Sequence, residues 1–210
     1  MPFDDGLDDV PADRRLEYGQ VRAGMLDGDV LLFRGTIFLS KVIEKVSHGQ
    51  YSHSAILADW GPRKMILQAE LTGGVQAVPA SVAIGTYQGR VDWYRIRPEV
   101  RARLDVAAIL AEAKADLGLT YATSDLLRAA AYNIFNAPLP RDCVDAKALF
   151  CSEYVARCFR SAGVKFQPSD VGTSPSQIAA SDALEFMGVI LHDPSIVPDR
   201  RAEVVAPGSP

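Results

Sequence analysis

The order of apolar patterns along the chain constrains its fold more than any other feature of the sequence. Between residues 28 and 96, most apolar runs are short and bounded by turn residues, which is typical of buried strands. After Pro98, apolar residues recur at helical spacing over longer stretches. Strands gathered in one block and helices mainly in another predict an α+β fold, because a parallel α/β sheet needs strands and helices to alternate.

The predicted elements follow this division. Strands are expected over residues 30–33, 54–58, 64–69, 75–78 and 90–96, with a short amphipathic helix over residues 36–47. Longer helices are expected over residues 98–117, 124–136 and 151–163, where a glycine or proline ends each pattern.

The two ends of the chain differ from its central part. Residues 1–24 are polar and acidic, and residues 193–210 contain four prolines. We expect the first segment to be a flexible acidic arm and the last to be a proline-rich tail. Residues 25–192 are then one domain, which suits a chain of 210 residues that is 48% hydrophobic.

Charge and cysteine content narrow the class of protein. The formal net charge of -4 argues against a protein that binds nucleic acid through its phosphates. No apolar run approaches the roughly 20 residues of a transmembrane helix, and the acidic start is unlike a signal peptide. The three cysteines form no paired framework and no metal-binding motif, so we expect a cytoplasmic protein without a bound metal.

Cys151 is the strongest candidate for a reactive group. It extends the apolar stripe of the last predicted helix to the first turn of that helix; the stripe contains Val155, Cys158, Phe159 and Ala162. In a first turn, unpaired N–H groups and the helix dipole favour the thiolate, which is the reactive form of cysteine. The pattern fits a small buried core residue equally well, as it does for Cys158.

A cysteine nucleophile needs a base, and the chain has three histidines. His53 stands at the start of an apolar strand, whereas His48 lies in a turn and His192 precedes the proline-rich tail. Only His53 would be held in place by a sheet. A histidine at a strand end can also be a hydrogen-bonded structural residue, so its position alone leaves both roles open.

Hairpin geometry adds a third polar group. If the strands on either side of Gly61 and Pro62 pair about that turn, the numbers of cross-strand partners sum to 123, as 53 and 70 do. His53 would then lie opposite Glu70, close enough for the carboxylate to orient the imidazole. A register slip of two residues would place Gln68 there instead, and Glu70 could equally be a solvated carboxylate at a strand end.

Four segments occur in an order that resembles a known family. They are Gly-Asp-Val-Leu-Leu-Phe at 28–33, Tyr-Ser-His-Ser-Ala-Ile at 51–56, Gln-Ala-Glu at 68–70 and Phe-Cys-Ser-Glu-Tyr-Val at 150–155. Over residues 24–180 the chain resembles the circularly permuted NlpC-type papain-like cysteine hydrolases, in their YiiX-like branch. In the unpermuted family the cysteine helix comes first, so a histidine before the cysteine marks the permuted branch.

The resemblance implies both a fold and a set of catalytic residues. The fold would be a permuted papain-like one, in which an antiparallel sheet or barrel packs against helices. The histidine would lie on a strand and the cysteine at a helix N-terminus. By position in the motifs, Cys151 would be the nucleophile, His53 the base and Glu70 the residue that orients the base.

The resemblance also implies residues that line the site. Leu-Gly-Leu-Thr-Tyr at 117–121 resembles the Gly-x-x-Tyr element of the family, whose tyrosine lies near the oxyanion. Tyr121, Ser152 and Tyr51 would accordingly bind substrate or the oxyanion. Thr-Ser-Pro at 173–175 resembles the Ser-Pro segment that follows the cysteine helix in this branch.

The chemistry that the resemblance implies is acyl transfer. A thiolate would attack a carbonyl to form a thioester acyl-enzyme, and water would release the product without a metal or organic cofactor. The substrate would be a small peptide, a cell-wall fragment or an acyl compound, and the main expectation is hydrolysis of an amide bond. The alternatives are a lipid acyltransferase or thioesterase on the same scaffold, and a binding module without catalysis.

Overall fold

The computed structural model describes residues 7, 9–35, 50–70, 73–87, 89–119, 145–170 and 173–191. Several predicted features lie outside these residues. They are the helices over residues 36–47 and 124–136, the tail over residues 193–210, and the side chains of His48, Tyr121 and His192.

A seven-stranded sheet is the centre of the described structure. Its strands are β1 (Arg15–Glu17), β2 (Val30–Gly35), β3 (His53–Trp60), β4 (Arg63–Glu70), β5 (Gly74–Pro79), β6 (Gly89–Ile96) and β7 (Leu184–Leu191). Their order in space is β1-β7-β6-β2-β3-β4-β5. Neighbouring strands run antiparallel, except that β1 and β7 are parallel. The sheet and its helices together have the α+β architecture that the sequence predicts.

The helices in the described part of the chain are mostly short. They are α1 (Tyr18–Val21), α2 (Ala80–Thr86), α3 (Pro98–Arg101), α4 (Val106–Ala115), α5 (Asp145–Ser161) and α6 (Pro175–Ala179). The helix predicted over residues 98–117 is therefore two helices. The break occurs because the Asp105 side chain accepts a hydrogen bond from the N–H of Ala108 and so caps the start of α4.

Both faces of the sheet are covered, which explains the continuous apolar run in β2. Successive strand residues point to opposite faces. Leu32 packs with Ile56 and Phe159 on the face against α5, whereas Leu31 and Leu57 pack on the face that α2 covers. Each face therefore has its own apolar core, and the sequence of a central strand shows little polar alternation.

The N-terminal segment is part of the folded domain from residue 9 onward, which differs from the predicted flexible arm over residues 1–24. Strand β1 pairs with β7, and the Arg14 side chain donates to the carbonyls of Phe186 and Met187 at 3.1 and 3.0 Å. This close approach needs a glycine at position 188, where a Cβ atom would lie 2.7 Å from the Arg14 carbonyl oxygen. The polar composition of this segment did not indicate β1, because the strand with which β1 pairs is far away in sequence.

The start of α5 also differs from the prediction. The sequence placed Cys151 at the N-terminus of a helix, but α5 begins at Asp145 and makes Cys151 its seventh residue. The helix extends upstream because alanine, lysine and leucine at positions 146–149 are strong helix formers. Unpaired N–H groups occur only in the first turn of a helix, so they are not available at Cys151.

Candidate active site

The hairpin of β3 and β4 positions the histidine. Gly61 allows its tight turn because it adopts a left-handed conformation (φ 67°). The strand pairing ends at Ile56 and Leu67, and the register is the predicted one, in which partner numbers sum to 123. His53 and Glu70 lie beyond the last pair, where β3 and β4 are no longer paired with each other.

Two side chains of β4 approach one nitrogen of the imidazole. The Nε2 atom of His53 lies 2.9 Å from Oε1 of Gln68 and 3.6 Å from Oε1 of Glu70. The amide oxygen is the closer acceptor, so Nε2 carries a hydrogen and donates it to Gln68. Both alternatives that the sequence left open are therefore beside the histidine, with Gln68 as its hydrogen-bond partner and Glu70 as a nearby carboxylate.

The other nitrogen of the ring is left for the thiol. Within the described part of the chain, Nδ1 of His53 is buried and has no hydrogen-bond partner. Nε2 is already engaged with Gln68, and Cys151 is the group that does most to raise the pKa of the ring, so the sulfur lies close to it. The Cys151 side chain is completely buried, and His53 is only 7% exposed. The sulfur and the imidazole thus interact where little water screens them.

The charges of this pair shift both of its pKa values. Burial by itself lowers the pKa of His53, but the nearby Cys151, helped by Glu70, raises that pKa overall. Burial by itself raises the pKa of Cys151, but His53 and then Ser54 lower it overall. The two shifts in opposite directions favour a thiolate beside an imidazolium.

Cys158 shows what burial does to a thiol that lacks such partners. It lies two turns after Cys151 on α5 and is also completely buried. Burial raises the pKa of Cys158 to about 12, which keeps this thiol protonated. Burial alone therefore does not explain the lowered pKa of Cys151.

Two aromatic side chains, Phe33 and Tyr87, lie near the histidine. The ring of Phe33 lies 5.3 Å from the His53 ring and 5.0 Å from the Tyr87 ring, measured between centroids. The Tyr87 hydroxyl lies 3.2 Å from the hydroxyl oxygen of Ser52. Burial raises the pKa of Tyr87, and the charges of Cys151 and Glu70 raise it further. Tyr87 was not predicted from the sequence, because it follows a short helix and belongs to no motif.

Tyr51 makes its side-chain hydrogen bonds with residues of β6. Its hydroxyl donates to Oδ2 of Asp92 at 2.6 Å and lies 3.0 Å from the Tyr94 hydroxyl, both on β6. The Arg90 guanidinium also binds the Asp92 carboxylate, with its Nε atom 2.6 Å from Oδ1. The structure therefore places Tyr51, which the resemblance assigns to substrate binding, in a buried polar cluster that joins β6 to the start of β3.

Ser152 is buried on the helix next to Cys151. Its hydroxyl donates a hydrogen bond to the Thr173 carbonyl. This bond fixes α5 to the segment before α6, where Ser174 forms a capping box with Gln177. The Ser152 hydroxyl thus links two elements of the fold, and Tyr121, the third expected substrate residue, lies outside the described residues.

Metal-binding side chains are not grouped in the described residues. No three or more histidine, cysteine, aspartate or glutamate side chains there are placed to hold one ion. The described helices also include none that is long and apolar enough to cross a membrane.

Comparisons with known proteins support the fold and no more specific assignment. No family model matches the chain, and no curated protein matches its sequence. Among solved structures, the metalloprotein YiiX from Escherichia coli O157:H7 is similar, with a TM-score of 0.53 and 17% sequence identity. The match covers 80% of this chain and 97% of the YiiX chain. This chain has a YiiX-like fold.

Proposed function

We propose that this protein is a cysteine hydrolase that cleaves an amide bond, with Cys151 as the nucleophile and His53 as the base. The observation that carries the proposal is the burial of the Cys151 thiol and the His53 ring together, with Nδ1 of the ring lacking a hydrogen-bond partner among the described residues. The opposite pKa shifts support it, since the pKa of the thiol is lowered and the pKa of the imidazole is raised. A thiolate beside an imidazolium is the reactive state of a cysteine hydrolase.

The proposed reaction has two halves. The Nδ1 atom of His53 takes the thiol proton, the Cys151 sulfur bonds to the substrate carbonyl carbon, and the imidazolium returns the proton to the departing amine. A thioester remains on Cys151. In the second half His53 removes a proton from water, the hydroxide attacks the thioester, and the acid product and the free thiol are released.

Gln68 and Glu70 have different parts in this proposal. The hydrogen bond at 2.9 Å supports a role for Gln68 in holding the ring so that Nδ1 can face the sulfur. Glu70, at 3.6 Å, supplies a negative charge that stabilises the imidazolium. Glu70 is therefore proposed as an electrostatic partner, and Gln68 takes the orienting role that the resemblance gives to Glu70.

A permuted papain-like arrangement is the fold proposed to accompany this chemistry. The strand that carries His53 precedes the helix that carries Cys151, and the helix packs across β3 and β4. The position of Cys151 in the second turn of α5 is a departure from that arrangement. With Cys151 at this position, the hydrogen-bond donors that stabilise the thiolate must be groups other than the first-turn N–H groups of α5.

The proposed substrates are small peptides, cell-wall fragments or related acyl compounds, and the proposed location is the cytoplasm. Phe33 and Tyr87 offer an apolar side to a substrate that reaches His53, because Tyr87 is only half-buried. A peptide amide, an acyl thioester and a phospholipid ester are therefore the compounds to compare. Hydrolysis of the amide with a transient acyl group on Cys151 supports the proposal.

Alkylation of the cysteines tests whether the catalytic pair exists. Wild type and His53→Ala are treated with iodoacetamide from about pH 5 to about pH 9, and peptides containing Cys151 and Cys158 are quantified by mass spectrometry. We expect Cys151 of the wild type to react below about pH 7, and to lose that reactivity without His53. Cys158 is the internal control and should stay unmodified in the native state.

Three other outcomes would contradict the proposal in distinct ways. If Cys151 reacts only like a free thiol, or at no pH, the protein is a binding module instead of an enzyme. If Cys151 is reactive but only the acyl thioester or lipid ester leaves an acyl group on it, the protein is a thioesterase or acyltransferase. If Cys151→Ala retains full amide hydrolysis, the nucleophile lies elsewhere.

A further inference from the structure

Ser54 is a buried polar residue to which the resemblance gives no role. It follows His53 on β3 and is completely shielded from solvent. Within the described part of the chain, its hydroxyl oxygen has no hydrogen-bond partner. A buried hydroxyl without a partner is costly, so a native structure that retains one needs a reason.

The Cys151 sulfur is the group on which Ser54 acts. The helix that carries Cys151, α5, packs across β3. The hydroxyl and the backbone N–H of Ser54 both lower the pKa of the Cys151 thiol, an effect that needs them close to the sulfur. The backbone N–H is available because the pairing between β3 and β4 ends at Ile56 and Leu67, two residues before it reaches Ser54. Because the strand pairing ends there, the sulfur can accept a hydrogen bond from a backbone N–H that would otherwise bond to the neighbouring strand.

The hydroxyl and the backbone N–H of Ser54 are hydrogen-bond donors of a kind that α5 does not supply to the sulfur. Cys151 is the seventh residue of α5, so the unpaired N–H groups of the first helical turn lie elsewhere. A neutral thiol is a weak hydrogen-bond acceptor, whereas a thiolate accepts strongly. The hydroxyl of Ser54 consequently gains its full hydrogen bond only when the sulfur is ionised.

We propose that Ser54 is a further catalytic residue, whose hydroxyl and backbone N–H bind the Cys151 sulfur and hold it as a thiolate. This inference rests on the proposed role of Cys151 as the nucleophile. His53 and Ser54 then have complementary roles, since His53 accepts the proton and Ser54 stabilises the charge that remains on sulfur. When the sulfur forms the thioester, it loses that charge and the hydrogen bonds to Ser54 weaken.

Ser54→Ala tests the proposal, with Ser176→Ala as a matched control. Ser176 on α6 also has a buried hydroxyl without a partner among the described residues, but it is not among the groups that act on Cys151. The measurement is the rate of Cys151 alkylation by iodoacetamide against pH, followed by peptide mass spectrometry. Circular dichroism and thermal unfolding establish that each variant is folded.

We expect Ser54→Ala to raise the pH midpoint of alkylation by about one unit, so that the rate at a pH well below both midpoints falls about tenfold. At high pH the rate should equal or exceed that of the wild type, because a thiolate of higher pKa is a stronger nucleophile. A general loss of structure cannot give this crossing of the two pH profiles. Ser176→Ala should keep the wild-type midpoint.

Further variants keep the test decisive. Ser54→Thr retains a hydroxyl and should restore the wild-type midpoint. If the alanine variant does not fold, Ser54→Cys is nearly equal to serine in volume and offers only a weak donor, so it should show the same upward shift. An unchanged midpoint in a folded Ser54→Ala or Ser54→Cys variant overturns the proposal, as does an equal shift in Ser176→Ala.

The outcomes separate this inference from the proposed function. If the wild-type midpoint is low and His53→Ala raises it while Ser54→Ala does not, only the role of Ser54 is overturned. If the wild-type midpoint is that of an ordinary thiol, the proposed function fails first, and the role of Ser54 fails with it.

Discussion

Gln68 accepts a hydrogen bond from Nε2 of His53 at 2.9 Å, and this bond leaves Nδ1 as the ring nitrogen without a hydrogen-bond partner among the described residues. In Gln68→Ala the Nε2–H loses its acceptor, and the ring can rotate or exchange its tautomer. We expect the rate of Cys151 alkylation near neutral pH to fall about tenfold or more, since a base in the wrong tautomer cannot take the proton. Gln68→Glu retains an acceptor and should preserve most of the rate.

Glu70 should affect the pH profile more than the maximal rate. Its charge helps to raise the pKa of His53, so Glu70→Gln should lower that pKa. The imidazolium would then lose its proton at a lower pH, and the pH range in which the thiolate–imidazolium pair exists would become narrower on its alkaline side. Titration of the His53 ring by NMR measures this shift directly. A pKa that stays the same or rises would contradict the electrostatic role of Glu70.

His53→Ala should reverse the direction of the Cys151 pKa shift. His53 is the main cause that lowers the pKa of this thiol, whereas burial raises it. Without the imidazole we expect the pKa of Cys151 to exceed the ordinary value of about 8.5, so that alkylation occurs only at alkaline pH. Cys158, whose pKa burial already raises to about 12, should be unaffected by the same substitution.

The sequence predicted those parts of the site that depend on local pattern. The register of β3 and β4 follows from a glycine turn between two apolar runs, and it brings His53, Gln68 and Glu70 together. Only distances could decide between Gln68 and Glu70, because both lie on the same strand face at a spacing of two residues.

Features that depend on long-range packing were not predictable in the same way. The pairing of β1 with β7 joins opposite ends of the described chain, and neither strand has a partner nearby in sequence. Tyr87 reaches the site only because β2 and the segment after α2 bring it against Phe33. In sequence Ser54 is an ordinary strand residue, and only the end of the strand pairing and the position of the sulfur distinguish it.

Tyr51→Phe should reduce stability and leave the reactivity of Cys151 unchanged. The Tyr51 hydroxyl donates to the buried Asp92 carboxylate, and burial together with that negative charge raises the pKa of Tyr51, so it remains a donor at every working pH. Removing it should lower the free energy of unfolding by about 1–3 kcal/mol. Tyr154→Phe is the control, because its hydroxyl donates to a neutral carbonyl, that of Ala113, and should cost less.

Denaturant unfolding and the alkylation profile together decide the role of Tyr51. A stable Tyr51→Phe variant with impaired substrate turnover would instead support the substrate-binding role that the resemblance implies. A less stable variant with an unchanged Cys151 profile supports the structural role in the cluster with Asp92.

Gly188→Ala should detach the N-terminal strand from the sheet. A Cβ atom at this position would lie 2.6 Å from Cδ1 of Leu16 and 2.7 Å from the Arg14 carbonyl oxygen, and the second of these is backbone that cannot rotate away. We expect the free energy of unfolding to fall by about 1–3 kcal/mol, with faster amide hydrogen exchange in β1. Gly19→Ala is the matched control, since a Cβ atom there would have no atom within 4 Å apart from its chain neighbours and the backbone of its own helix. Unchanged exchange in β1 would mean that this segment does not depend on the close approach at Gly188.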